Sequence, residues 1–150
     1  MKIQVNRKIN APAATLWAYL ADYSNIQRFH PMLDSSHYVE GASSGELGAT
    51  RQCNFNDGNV IKERVIDWQP DSHYTVDIYE TSMPMKSAKA TLGVRRIAAN
   101  QTEAYMEVEL TPKYSILAPM LYLSFRFVAM PKILKGLDDL AQRETTVALA

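Results

Sequence analysis

Two charged residues sit where their surroundings invite chemistry. Arg51 opens the run Arg51-Gln52-Cys53-Asn54-Phe55, and Glu63 stands between Ile61 and Val65. Side chains two apart on a strand share a face, so the apolar neighbours at i±2 turn both charges inward. A buried charge is costly unless it is paired. The readings are a salt bridge across a β-hairpin that serves the scaffold, a polar group that meets a ligand inside an apolar cavity, or, against that facing, residues that point outward.

The other reactive residue types offer less. His30 falls in a turn before a strand, with a locally hydrogen-bonded ring as the expectation, while His37 and His73 read as exposed strand residues. The three histidines lack the i,i+4 or alternate spacing of a metal site. Cys53 is the single cysteine and lacks an indicated partner base, so it reads as a small buried hydrophobe rather than a nucleophile. The serines have no nucleophile-elbow context, and there is no glycine-rich phosphate loop. Tyr122, Phe125 and Met130 late in the chain, with Phe55 and Met106 from the middle, either pack as core or line a cavity.

These residues must be held by elements, and the sequence outlines them. Ile3, Val5, Arg7 and Ile9 alternate with Lys2, Gln4, Asn6 and Lys8, the period of a half-buried strand. Pro12, tolerated in a first helical turn, introduces a short helix over about 12–21, with Leu16, Trp17, Leu20 and Tyr23 at helical spacing. A second short helix over 24–29 is expected, with Ser24 as N-cap and His30-Pro31 as its end. Strands follow at about 34–41, 49–55, 59–68, 73–80 and 87–98, and a last one holds the alternating Ala104, Met106, Val108 and Leu110. Asn56-Asp57-Gly58 marks a hairpin, since Asp-Gly suits a turn with positive φ. The count is about seven strands, mostly hairpin-connected and hence antiparallel.

From about 117 to 143 the period changes to that of one long helix, which Pro131 is expected to kink or split. Before Pro131 the segment is apolar nearly all round; beyond it Lys132, Lys135, Asp138, Asp139 and Arg143 mark a solvated face. A helix over a sheet needs one apolar stripe, so the surplus over 116–130 must face a ligand, a second subunit or a membrane surface. An α+β layout results, in which this helix is the one element long enough to cover a curved sheet.

Composition narrows the class. The 150 residues form one domain, with 47% hydrophobic residues, and 16 Lys+Arg balance 16 Asp+Glu. Zero net charge removes the electrostatic footprint of a nucleic-acid binder. No targeting segment is visible, and the apolar stretch 116–130 is shorter than the ~20 residues of a bilayer span. A cytoplasmic protein without an integral membrane span is expected.

The run from Ile9 to Leu33 is similar to the N-terminal signature of the START-like, or SRPBCC, superfamily: Ile9, Ala11, Pro12 and Trp17 match its opening pattern, and Asp22 its aspartate after the first helix. Gly48, Ala49 and Arg51 match its third strand, and Glu63, Arg64, Asp67 and Trp68 its fourth. Pro112-Lys113, Leu117 to Leu121 and Phe125-Arg126 resemble its entry to the last helix. The chain departs from that pattern at Tyr114-Ser115, where the family commonly has two glycines; this stiffens a segment that often rims the cavity. The closest likeness is to the polyketide cyclase/dehydrase and lipid-transport branch. The resemblance implies a helix-grip fold: a curved seven-stranded antiparallel sheet wrapped around a long C-terminal helix, with two short helices after the first strand. It implies a hydrophobic small-molecule ligand (a lipid, quinone or polyketide-like compound), no cofactor, and a cavity mouth near Met83-Pro84-Met85. The expected ligand-contacting set is Arg51, Cys53, Phe55, Glu63, Met106, Tyr122, Phe125 and Met130. The alternatives are a cyclase, dehydratase or aromatase using Arg51, Glu63 or Tyr122, and a homodimeric interaction module using 116–130.

Overall fold

The structure is a computed structural model that describes residues 1–39 and 46–149, without the side chains of 147–149. Seven strands form one sheet: β1 (Lys2–Ile9), β2 (Leu33–Tyr38), β3 (Thr50–Phe55), β4 (Val60–Gln69), β5 (His73–Thr81), β6 (Met85–Ala98) and β7 (Gln101–Pro112). Their order is β1-β7-β6-β5-β4-β3-β2, and every neighbouring pair is antiparallel. The first strand thus closes against the last, while the others follow one another as hairpins. The expected stop of the second strand at Gly41 lies outside the described residues.

Alternation makes the inner face. On β6 Ala88, Ala90, Leu92 and Val94 are buried, and on β7 Ala104, Met106, Val108 and Leu110. Register shifts interrupt the pairing of β4 with β5 between Lys62 and Glu63 and again between Val65 and Asp67. Such irregularities bend a strand and raise its twist, which suits a sheet that must curve round a helix.

The expected first helix is α1 (Ala13–Ala21), with Pro12 just before it as its N-cap rather than inside its first turn. The second is a 3-10 segment, Tyr23–Arg28, rather than an α-helix, and Ser24 makes no capping bond. Instead the Ser24 carbonyl accepts the Ser36 hydroxyl of β2 at 2.5 Å. Together these elements close one end of the sheet over an aromatic cluster: Trp17 meets Trp68 edge-on at 5.3 Å, Trp68 stacks on Tyr74 at 5.5 Å, and Tyr74 meets Tyr23 edge-on at 5.6 Å.

The terminal helix runs unbroken through three stretches: α2 (Ala118–Ser124), a π-helical turn (Phe125–Ala129) and α3 (Met130–Leu149). Pro131 neither splits the helix nor ends it. The Met130 N–H bonds five residues back to the Phe125 carbonyl, so the extra residue of the π turn falls just ahead of the proline's missing donor. Beyond it Ile133, Leu134, Leu137, Leu140 and Ala141 form a buried stripe. Fully burying each large side chain of that stripe is worth roughly 1.5–3 kcal/mol.

The apolar surplus is real and outward-facing. Ile116 is 84% exposed and Phe127 62%, and Met120, Leu123 and Val128 are exposed with them. Because the helix continues past Pro131, the stretch Ser115–Thr146 is, by length and composition, long and apolar enough to cross a membrane. The shorter apolar segment read from the sequence ended too early, at the proline. In this fold the same helix supplies the cover of the sheet.

Candidate ligand-binding site

The small inward residues Ala88 and Ala90 leave a hollow between the sheet and the terminal helix. Toward the closed end Leu92 and Val94 fill the same face; toward the other end a cavity of about 470 Å³ remains. That volume lies within the range of small-molecule sites. Ile61 and Ile78 line it from the middle of the sheet, Met106 and Val108 from β7, and Leu121, Phe125, Met130 and Ile133 from the helix. Its rim takes in Asn56, Asp57 and Asn59 of the β3–β4 turn, Met83 and Pro84 before β6, and Met120 on the helix.

Five of the eight residues expected to contact ligand line this cavity: Phe55, Glu63, Met106, Phe125 and Met130. The Met83-Pro84-Met85 segment is part of its lining, as the resemblance implied. Three do not reach it. Arg51 and Cys53 are buried behind the wall, each 1% exposed. Tyr122 is 41% exposed: with Leu121 and Phe125 turned inward at i,i+4, a residue one step further is carried about 100° round the helix.

Arg51 and Glu63 are direct partners in the β3–β4 register, and Arg51 Nε donates to Glu63 Oε2 at 2.7 Å. Arg51 Nη1 donates to the Tyr23 carbonyl at 2.7 Å, and the guanidinium lies 3.8 Å from the centre of the Tyr23 ring. The 3-10 segment therefore packs on Arg51, which is no part of the cavity lining. Burial opposes the charged guanidinium, yet the Glu63 carboxylate, with Tyr74 and Tyr23, holds its pKa well above the ordinary range. Burial pushes the Cys53 thiol up to about 12, with Glu63 adding to the effect, so it stays a thiol.

His30 is the polar residue that sequence reasoning undervalued. It lines the cavity, is 7% exposed, and its Nδ1 has no hydrogen-bond partner. Its backbone N–H donates to the Ile26 carbonyl at 3.0 Å, its carbonyl accepts the Leu33 N–H at 3.2 Å, and its ring stands edge-on to Phe55 at 5.6 Å. Burial first, and then the Arg51 charge, lower its pKa from 6.5 to about 4, so the imidazole is neutral at pH 7. Of the other histidines, His37 is exposed, whereas His73 is half-buried, its Nε2 3.0 Å from Asp67 Oδ2. The cavity lining thus joins a long apolar wall to two buried polar groups, His30 and the paired Glu63.

Comparison with known proteins gives this geometry a setting. A family model described as polyketide cyclase / dehydrase and lipid transport matches residues 1–143. No curated protein matches the chain by sequence. The fold is similar to that of the protein XoxI from Bacillus cereus, with a TM-score of 0.82, 18% identity, and coverage of 96% of this chain and 97% of that one. A START superfamily protein from Mycobacterium smegmatis also has a TM-score of 0.82, at 10% identity over 95% of this chain and 98% of its own. Norcoclaurine synthase from Thalictrum flavum, solved with dopamine and hydroxybenzaldehyde, has a TM-score of 0.73 at 13% identity, over 95% of this chain and 87% of its own. At these identities the likeness is one of fold.

Proposed function

The chain belongs to the polyketide cyclase / dehydrase and lipid transport family, and on that footing we propose that it binds or carries a hydrophobic small molecule, such as a lipid, quinone or polyketide-like compound. The observation that supports this most is the cavity of about 470 Å³, walled by Ile61, Ile78, Met106, Val108 and Phe125 and open at a methionine-bearing rim. Met side chains adapt their shape to varied apolar partners, which suits an entrance. Phe55, Phe125 and Met130 would grip the ligand's body, and Glu63 would meet a polar group on it.

Nile red, an uncharged dye that brightens in apolar surroundings, tests the proposal. The native protein is expected to bind it with saturation at one dye per chain. Ala90→Phe, which fills the hollow, is expected to abolish that binding while leaving the protein folded. Equal binding by both proteins would place the dye elsewhere and contradict the proposal.

An enzymatic reading, as a cyclase, dehydratase or aromatase, has less to work with. Of its three candidate groups Arg51 is buried outside the cavity lining and Tyr122 is on the outer side of the helix, leaving Glu63. A homodimer is favoured by a different observation, the exposed run that includes Ile116, Leu123 and Phe127. Sedimentation equilibrium checks it: the native chain is expected to dimerise and Phe127→Glu to remain monomeric. A native chain that stays monomeric throughout would exclude the dimer.

A further inference from the structure

The polar end of the cavity has an electrical character that restricts what can bind there. Glu63 is paired with Arg51 at 2.7 Å, so the two charges cancel locally. Arg51 is not presented to a ligand, because it is 1% exposed and no part of the cavity lining, with Nε donating to Glu63 and Nη1 to the Tyr23 carbonyl. Among the described residues no lysine or arginine lines the cavity, and its other acidic group is Asp57 at the rim. A carboxylate or phosphate entering the pocket would pass that acid, lose its water, and find no cation to pair with. Burial of such an unpaired charge is strongly unfavourable.

His30 supplies the opposite case. Its backbone is fixed at both amide and carbonyl, its ring is held against Phe55, and its Nδ1 is unpartnered. The one other buried side-chain polar atom without a partner among the described residues is the Tyr74 hydroxyl, which is not part of the cavity lining. The ring is neutral at pH 7, its pKa lowered to about 4 by burial and Arg51. A neutral imidazole offers one donor and one acceptor, which suits a hydroxyl or a carbonyl and gives an anion no charge to answer its own.

We propose that His30 is the neutral polar subsite of this cavity, and that it selects apolar ligands bearing an uncharged hydroxyl or carbonyl and rejects the corresponding carboxylates. This rests on the binding function proposed above and adds the chemical class of the ligand. It excludes free fatty acids and acidic acyl chains, and admits alcohols, phenols, ketones and quinones.

Displacement of bound Nile red at pH 7 by three molecules of one shape tests the subsite: naphthalene, 2-naphthol and 2-naphthoate. In the native protein 2-naphthol is expected to compete at about tenfold lower concentration than naphthalene, the scale of one net hydrogen bond. The carboxylate 2-naphthoate is expected to be the weakest of the three. His30→Phe should erase the advantage of 2-naphthol over naphthalene. Met83→Lys, at the half-buried rim, should improve 2-naphthoate about tenfold relative to naphthalene.

Naphthoate binding as tightly as naphthol in the native protein would overturn the proposal. So would a full naphthol advantage surviving in a folded His30→Phe protein. If His30→Phe does not fold, the native ranking and the Met83→Lys response still decide. Failure of all three compounds to displace the dye would instead contradict the cavity as a binding site at all.

Discussion

Arg51 and Glu63 hold opposite charges 2.7 Å apart inside the protein, and neither can be removed without stranding the other. Arg51→Met is therefore expected to destabilise the fold by about 3–5 kcal/mol, the cost of an uncompensated buried charge. The double variant Arg51→Met, Glu63→Leu should recover much of that loss, and urea unfolding of the native protein and the two variants checks it. His30 yields a pH dependence of definite sign. Its pKa is near 6.5 in the unfolded chain and about 4 in the folded one. As pH falls through that window the unfolded chain takes up the proton first, so stability declines on acidification and is fully present above about 6.5. From pH 7 to pH 5 the loss attributable to His30 is about 2 kcal/mol, and His30→Phe is expected to remove it from the urea midpoint. The ion pair was legible in the sequence because apolar neighbours at i±2 fixed the facing of both residues. The facing of His30 was not, since it follows a 3-10 segment with no sustained period from which to infer direction.

At the scale of elements, alternation and turn chemistry outlined all seven strands, and the boundaries moved by only a few residues. The terminal helix was legible as helix, but its treatment of Pro131 was not. A π turn is a change of hydrogen-bond register, and no residue type specifies it. Gly136 of α3 was equally unremarkable in the sequence. In the structure a Cβ there would lie 1.9 Å from the Phe29 carbonyl oxygen, so the helix and the 3-10 segment approach backbone to backbone. Gly136→Ala sets two effects against each other. Alanine gains about 1 kcal/mol of helix propensity, while overpacking typically costs about 1–3 kcal/mol and a clash with backbone is hard to relieve. The clash is expected to win, giving a net loss of up to about 2 kcal/mol; unfolding at equal or higher denaturant than the native protein would show that the helix can retreat freely. Leu137→Ala, on the buried stripe, should cost about 2–5 kcal/mol by the same measurement.

The cavity belongs to the whole molecule. Ala88 and Ala90 on the sheet matter because Phe125 and Met130 stand across from them on an element more than thirty residues later. Their spacing along the chain says that they face inward and says nothing of the distance to the opposite wall. For that reason spacing placed Phe55, Met106, Phe125 and Met130 on inward faces but not Tyr122, whose facing depends on how the helix is rotated over the sheet. The exposed apolar face of the same helix is a second candidate for apolar contact, so a binding experiment must report where a ligand goes. Methyl-resolved NMR during titration with 2-naphthol does so most directly. The account predicts saturable shifts at the Ala88, Ala90 and Met106 methyls while those of Ile116 and Val128 stay still. Shifts at Ile116 and Val128 with silent cavity methyls would contradict it.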